Sequence, residues 1–484
     1  MRFYRAPADG RTTTPPGTPL PRANVALLAA CVATLIGGCG GDKMPTGTSG
    51  VQDKSTTAVP TVDVAAPPAT LVPSGTAASA TASAGASATG VPDDMNVLVI
   101  GIDSLRVDHL PVGGAKEDVM PNLTAFEKTA VSYTHFYSVS SYTSQTLGAF
   151  LGARYPEELQ RSGYFFGFYP DDELFFPELL QKAGVRTMSA QAHFYFAKEK
   201  SGFDQGFDVY ELVPGLKKSN TTDENITSPA HTELILKQLG DPANTSKRFF
   251  AWYHLLDPHD QYMSHPEGKD YGRSAEQKYD GELYFVDMHL KKIFDYVDSQ
   301  PWGKRTMIIV TSDHGEAFGE HKMYRHGFEL WNMLTHVPLM IRAPGVKPRR
   351  IDTPRSGIDL PATILDVFHV APDPSFHGQS LVPELAGGEA APRDVISDLA
   401  RTSDNDRRRS LIRGNWKIIE GGDADGFQLF DLSADPEEKT DLARKEKAKF
   451  EEMREALKAA NKNIKDRCPK NTAKLKGKKD SKPC

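Results

Sequence analysis

Residues 306–321 read TMIIVTSDHGEAFGEH, and the first half of this stretch constrains the fold most. Met307, Ile308, Ile309 and Val310 form an unbroken apolar run. A strand with one wet face alternates apolar and polar residues. An unbroken run suits a strand covered on both faces, as in a parallel sheet beneath helices. The run stops at Thr311 and Ser312 and then delivers Asp313, His314, Gly315 and Glu316. In open α/β sheets, ligands bind just beyond the carboxyl ends of the strands. Residues 96–102, NVLVIGI, repeat the pattern and end in Asp103-Ser104-Leu105-Arg106. Two such ends side by side would offer carboxylates and an imidazole to one divalent cation. A polar turn closing a strand is the plainer reading of either piece, and the sequence leaves open whether they meet.

The remaining chain alternates strand and helix signals. Pro121 opens a helical pattern, as Pro does at early helix positions. Residues 138–156 read SVSSYTSQTLGAFLGARYP, polar first and then apolar at helical spacing. The polar front is either ordinary capping or a helix N-terminus that suits an anion or alkoxide. A helix is expected over 175–183, a strand over 185–189 and another over 248–256, RFFAWYHLL. The last empties into Asp257-Pro258-His259-Asp260. A long helix follows over 274–299, with Leu283, Val286, Leu290 and Ile293 on its apolar side. This order predicts an α/β fold with a mostly parallel central sheet flanked by helices. Beyond Gly345 the texture changes. Residues 358–370 read as a helix; from 409 on, LIRGNWKII and FQLFDL read as short strands between turns. A small C-terminal antiparallel α+β module is expected there. A helix over 445–465 and a solvated Lys-rich tail close the chain.

The first ninety residues carry an address. Arg22 precedes an apolar stretch over 23–36, too short to span a bilayer comfortably. It runs into Leu35-Ile36-Gly37-Gly38-Cys39, a secretory pattern that resembles a bacterial lipobox. That resemblance implies cleavage before Cys39 and a lipid on its sulfur, tethering the protein to a bacterial membrane on the periplasmic or outer side. An uncleaved anchor helix is the alternative, and it too leaves the body outside the cytoplasm. Residues 40–92 are Ala, Thr, Ser, Gly and Pro with few large apolar groups, a flexible tether. The domain plan is therefore 1–38 signal, 39–94 tether, 95–375 catalytic domain, 376–443 C-terminal module and 444–484 helix with tail. Of the four cysteines, Cys31 leaves with the signal and Cys39 takes lipid. Cys468 and Cys484 are left to pair in an oxidising compartment. No cysteine stands between them and Cys39, which excludes a thiol nucleophile. A net charge of -6 gives no reason to expect nucleic acid.

Four blocks taken together resemble the sulfatase family within the alkaline-phosphatase superfamily. They are GIDSLRVD from Gly101, TSQT…GARYP from Thr143, HLLDPHDQY from His254 and SDHGEAFGEH from Ser312. The segment 416–443 is similar to the family's carboxyl-terminal ending. The resemblance implies a nucleophile thirteen residues before the Pro of the G-x-Y-P ending, which here is Thr143 before Pro156. Sulfatases proper carry an oxidisable Cys or Ser there, in C/S-x-P-S-R; this chain reads Thr143-Ser144-Gln145-Thr146-Leu147. A hydrated formylglycine expels sulfate by collapsing to an aldehyde, whereas a threonine sulfate has no such route. On a threonine, phosphoryl transfer with metal help is workable chemistry. The related phosphoethanolamine transferases also use a threonine.

Carried over residue by residue, Asp103, Thr143, Asp313 and His314 would surround one divalent metal. Ser104 stands where a second aspartate is usual. His at 314 in place of Asn favours Zn²⁺ or Mn²⁺ over Ca²⁺. Thr143, His259 and His326 become the expected catalytic groups, with Ser144, His254, His259 and His326 toward the substrate. The expected function is metal-dependent hydrolysis of sulfuric, phosphoric or phosphonic esters. A phosphoethanolamine-type transferase acting on surface glycan or lipid, and an inactive anion-binding member, are the alternatives.

Overall fold

The unbroken apolar runs are covered on both sides. In the computed structural model Val97, Val99, Met307 and Ile309 pack into one core, while Leu98, Ile100, Ile308 and Val310 pack into another. All seven residues of β1 (Asn96–Ile102) and of β6 (Thr306–Ser312) are buried. The structure describes residues 92, 94–164, 166–198, 200–217, 226–422 and 426–467. The expected signal, Cys39, most of the tether, Cys468 and Cys484 lie outside the described residues.

The main sheet takes in β1, β2 (Val131–Tyr137), β3 (Arg186–Gln191), β4 (Val209–Leu212), β5 (Phe249–Leu255), β6, β7 (His336–Arg342), β8 (Arg349–Ile351) and β9 (Arg355–Ser356). Their order is β4-β3-β5-β1-β6-β7-β2-β8, with β9 on β2. All neighbours are parallel except β7, which runs antiparallel to both β6 and β2. Helices cover the faces, among them Ala275–Ser299, whose N-cap Ser274 and Gln277 form a capping box. Among the described residues no helix is long and apolar enough to cross a membrane.

The C-terminal module is the expected antiparallel sheet: β10 (Val395–Leu399), β11 (Arg408–Arg413), β12 (Trp416–Glu420) and β13 (Phe427–Asp431). Helix Lys447–Asn461 packs on it through Met453, Ala456 and Leu457. The module begins earlier than its β signals suggest. β10 reads VISDL, and its charged Asp398 is wholly buried. Arg409 on β11 makes that burial tolerable: its Nε donates to Asp398 Oδ1 at 2.8 Å. Asp398 Oδ2 accepts from the Glu157 backbone at 2.9 Å, which joins the module to the chain just beyond helix Thr143–Gly152.

Asp398→Ala removes the buried carboxylate beside Arg409, leaving the guanidinium with the half-exposed Asp466 and with Asn461, and orphans the Glu157 N–H. The expected loss is about 1–3 kcal/mol, the cost of buried polar groups losing one partner, since Asp466 still neutralises the charge. A urea midpoint unchanged from wild type would refute this.

Candidate active site

β1 and β6 run parallel in a register that sets Ile102 beside Ser312. The next residues of the two strands are Asp103 and Asp313, so both carboxylates emerge together at the sheet's carboxyl edge. Ligand atoms of Asp103, Asp313 and His314 all lie within 4.8 Å of one another, and all three residues are buried. Local hydrogen bonds hold the group in place. Ser104 takes a left-handed backbone (φ 57°), and its N–H reaches Asp313 Oδ1 at 3.2 Å. The Ser104 hydroxyl donates to Asp103 Oδ1 at 2.7 Å. Where the family resemblance calls for a second aspartate, this serine clamps both of those present.

Behind them lies His254, from β5. Its Nε2 is 3.0 Å from Asp103 Oδ2 and 3.8 Å from Asp313 Oδ2. Gly101 makes room for the ring: a Cβ there would lie 2.8 Å from His254 Nδ1. Burial alone would lower the His254 pKa, but Asp313 and the Asp103 hydrogen bond raise it above the ordinary value. Burial would likewise raise Asp103, yet the His254 hydrogen bond and nearby imidazoles hold it well below the usual carboxylate range.

Thr143 is the first residue of helix Thr143–Gly152, with Tyr142 as N-cap. It is the half-exposed start of an otherwise buried helix, at the positive end of the helix dipole. Its Oγ1 lies 2.9 Å from His314 Nε2. The other ring nitrogen, Nδ1, is 2.9 Å from Gly315 O. With that carbonyl as its partner Nδ1 carries the proton, so Nε2 presents a lone pair toward Thr143 and the carboxylates. The helix start is itself tied down. Gln145 Nε2 donates to Ala400 O at 3.0 Å, and Ala400 N returns a bond to Gln145 Oε1 at 2.8 Å.

A second histidine lies over the first: the His314 and His326 rings are 4.1 Å apart. His326 Nδ1 sits 3.2 Å from Glu316 Oε2, which also accepts from the Tyr262 hydroxyl at 3.0 Å. Burial would depress His326, but Glu316 outweighs it and pushes the imidazole up to about 9, so it is cationic at neutral pH. His259 is next in line, its ring 5.4 Å from that of His326, with Nδ1 2.6 Å from Asp260 O. Ser144 is buried against the Tyr142 and Tyr195 phenols. His321 lies apart: it stacks on Trp331 at 3.9 Å and bonds to Glu437 O. Glu316 was visible in the Asp-His-Gly-Glu run, although only its neighbours stood out as ligands. Tyr262 and Gln145 stand inside the HLLDPHDQY and TSQT blocks, but nothing in the sequence pairs them with Glu316 and Ala400.

The donors suit a divalent cation. Two carboxylates and an imidazole of fixed tautomer converge, and buried Asp313 Oδ2 has no hydrogen-bond partner. Such an atom costs about 1–3 kcal/mol unless something satisfies it.

The sulfatase family profile matches residues 95–370, more than half of the chain. The chain belongs to the sulfatase family. Choline-sulfatase of Rhizobium meliloti is 23% identical over 434 residues, spanning 73% of this chain and 83% of that protein. Mouse arylsulfatase K is 32% identical over 151 residues, only 29% of this chain and 27% of that one. Among solved structures, the phosphonate monoester hydrolase of Agrobacterium radiobacter superposes with a TM-score of 0.62 at 19% identity, covering 77% of this chain and 96% of that one. A protein solved with its substrate D-glucosamine-2-N,6-O-disulfate gives 0.63 at 18% identity, covering 78% and 100%. This sulfatase-family member is an ester hydrolase.

The hydrolase is expected to bind one divalent cation per chain in calorimetric titration. Ser104→Ala should weaken binding about 10- to 100-fold, as losing a partner of a metal ligand does. Asp313→Asn should weaken it further; an unchanged affinity would remove Asp313 from the site.

Proposed function

We propose that this hydrolase cleaves phosphoric or phosphonic esters with the Thr143 hydroxyl as nucleophile. One observation carries the reading: the first residue of a buried helix presents its hydroxyl 2.9 Å from His314 Nε2, beside paired carboxylates. A divalent cation held by Asp103, Asp313 and His314 would acidify the hydroxyl and offset charge on the transferred group. Thr143 Oγ1, its proton passed to solvent at the half-exposed helix start, forms the new bond to phosphorus as the bond to the ester oxygen breaks. His326, its Nδ1 held against Glu316, gives that oxygen a proton from Nε2 and is left neutral. His259 takes the non-transferred oxygens. Water then attacks phosphorus in the threonine ester, returning a proton to His326 Nε2, and the bond to Thr143 Oγ1 breaks to release the anion. His254 acts at one remove. Sealed against Asp103, it orients the carboxylate rather than meeting the substrate.

Sulfuric esters are the second reading, favoured by the choline-sulfatase match across most of both chains. The threonine stands against it, since it lacks the aldehyde route for expelling sulfate. On the pattern at residues 22–39, we place the enzyme outside the cytoplasm with lipid on Cys39.

Phenyl phosphonate and phenyl phosphate esters should be hydrolysed with Mn²⁺ or Zn²⁺ present, and chelation should stop turnover. Thr143→Ala should lower kcat on the order of a thousandfold or more, with Thr143→Ser partly active. His326→Gln should hurt alkyl esters more than 4-nitrophenyl esters, whose leaving oxygen needs no proton. Aryl sulfate turnover that depends on Thr143, with phosphorus esters inert, would establish the sulfate reading instead. Labelled palmitate should enter the wild-type chain and be absent from Cys39→Ser.

A further inference from the structure

The carboxyl-terminal ending, residues 416–443, buries two opposite charges against each other. Lys417 on β12 and Glu438 have side chains wholly shut off from solvent, and the ammonium lies 2.8 Å from Glu438 Oε1. Replacing a buried ion pair by apolar groups is often neutral or stabilising, so stability alone is a weak reason for this one. Glu438 also takes a left-handed backbone (φ 56°), a conformation that is costly for a residue with a Cβ and that clusters at functional sites. The turn around it imposes that backbone. Glu438 N donates to Asp435 O at 3.0 Å, and Thr440 N donates to Asp435 Oδ2 at 2.8 Å.

The other carboxylate oxygen, Oε2, accepts from the backbone N–H of Asn332, the first residue of the one-turn helix Asn332–Thr335. The Asn332 side-chain amide donates to Pro436 O at 3.1 Å. The far end of this short helix touches the site. Leu334 O accepts from Gly315 N at 2.9 Å, and Gly315 O in turn fixes His314 Nδ1. A Cβ on Gly315 would lie 2.0 Å from Met333 O, so helix and loop are in close contact. Thr335 O accepts from Ser138 N at 2.8 Å, in the segment that leads into Thr143. Movement of the short helix would therefore shift both the imidazole and the hydroxyl that face each other at 2.9 Å.

We propose that Glu438 is a positioning residue for the active site. Lys417 holds one carboxylate oxygen, the other sets the one-turn helix, and the helix sets the His314 imidazole through Gly315. This rests on the reading of His314 as a metal ligand. Glu438 itself touches neither substrate nor metal.

Two double variants separate positioning from stability. Lys417→Met with Glu438→Leu makes the pair apolar and removes the acceptor for Asn332 N–H. Lys417→Met with Glu438→Gln removes the charges but keeps a carbonyl oxygen for it. In calorimetric titration with Mn²⁺ the first should bind about 10-fold more weakly than wild type, the lower end of what losing support behind a metal ligand does. The second should recover most of that affinity. Nitrogen NMR of labelled imidazoles in the metal-free proteins should show His314 Nδ1 protonated in wild type and the Gln variant, and mixed tautomers in the Leu variant. Asn332→Pro offers a second route should the Leu variant fail to fold. It deletes the N–H at a first helical position, where proline fits, and should also weaken Mn²⁺ binding. Equal Mn²⁺ affinity in the Leu and Gln variants, or affinity that only follows the urea midpoint, overturns the positioning role and leaves His314 a ligand. Wild type that takes up no Mn²⁺, or His314→Gln that binds it unchanged, overturns the ligand reading and the positioning role together.

Discussion

The parallel register between β1 and β6 is the constraint on which the site depends. A parallel pair delivers its side chains at the same end of the sheet, and Ile102 opposite Ser312 makes Asp103 and Asp313 the next residues out. A shift of one residue would turn one carboxylate to the opposite face, because side chains alternate along a strand. The apolar stretches that fill both cores hold that register. Packing and chemistry are thus joined in two adjacent strands of the sheet.

Placing charge in such a position is expensive, and the surrounding groups show how it is sustained. Two carboxylates lie buried with His254 behind them and the Glu316–His326 pair in front. Each ion has an opposite partner, and the backbone and Ser104 supply further hydrogen bonds. Asp313 Oδ2, among the ligand atoms, is left without a hydrogen-bond partner. The protein leaves unsatisfied the oxygen that a cation would use.

Much of this architecture was legible in the residues. Unbroken apolar runs mean strands covered on both faces, and the Asp at the end of each run marks the ligand edge. The helix start at Thr143 was legible for the same local reason, a polar front followed by apolar residues at helical spacing. Strand direction was not. β7 reads HVPLMIR, as apolar as the parallel strands of the sheet, yet it runs antiparallel to both its neighbours; burial writes the same composition in either direction. Long-range partners were also hidden. Asp398 looks like a surface residue until Arg409 is set beside it, and Glu316 gains its role only from His326, ten positions on.

The Gln145 clamp bears on how such a protein can change. Both edges of one side-chain amide grip Ala400, just past the end of β10, and so span the boundary between the α/β body and the small sheet. The helix bearing the reactive hydroxyl is braced by a residue 255 positions downstream. Chimeras that exchange the carboxyl-terminal sheet between relatives would import a foreign brace for that hydroxyl. Evolution is thereby obliged to modify the two parts in concert.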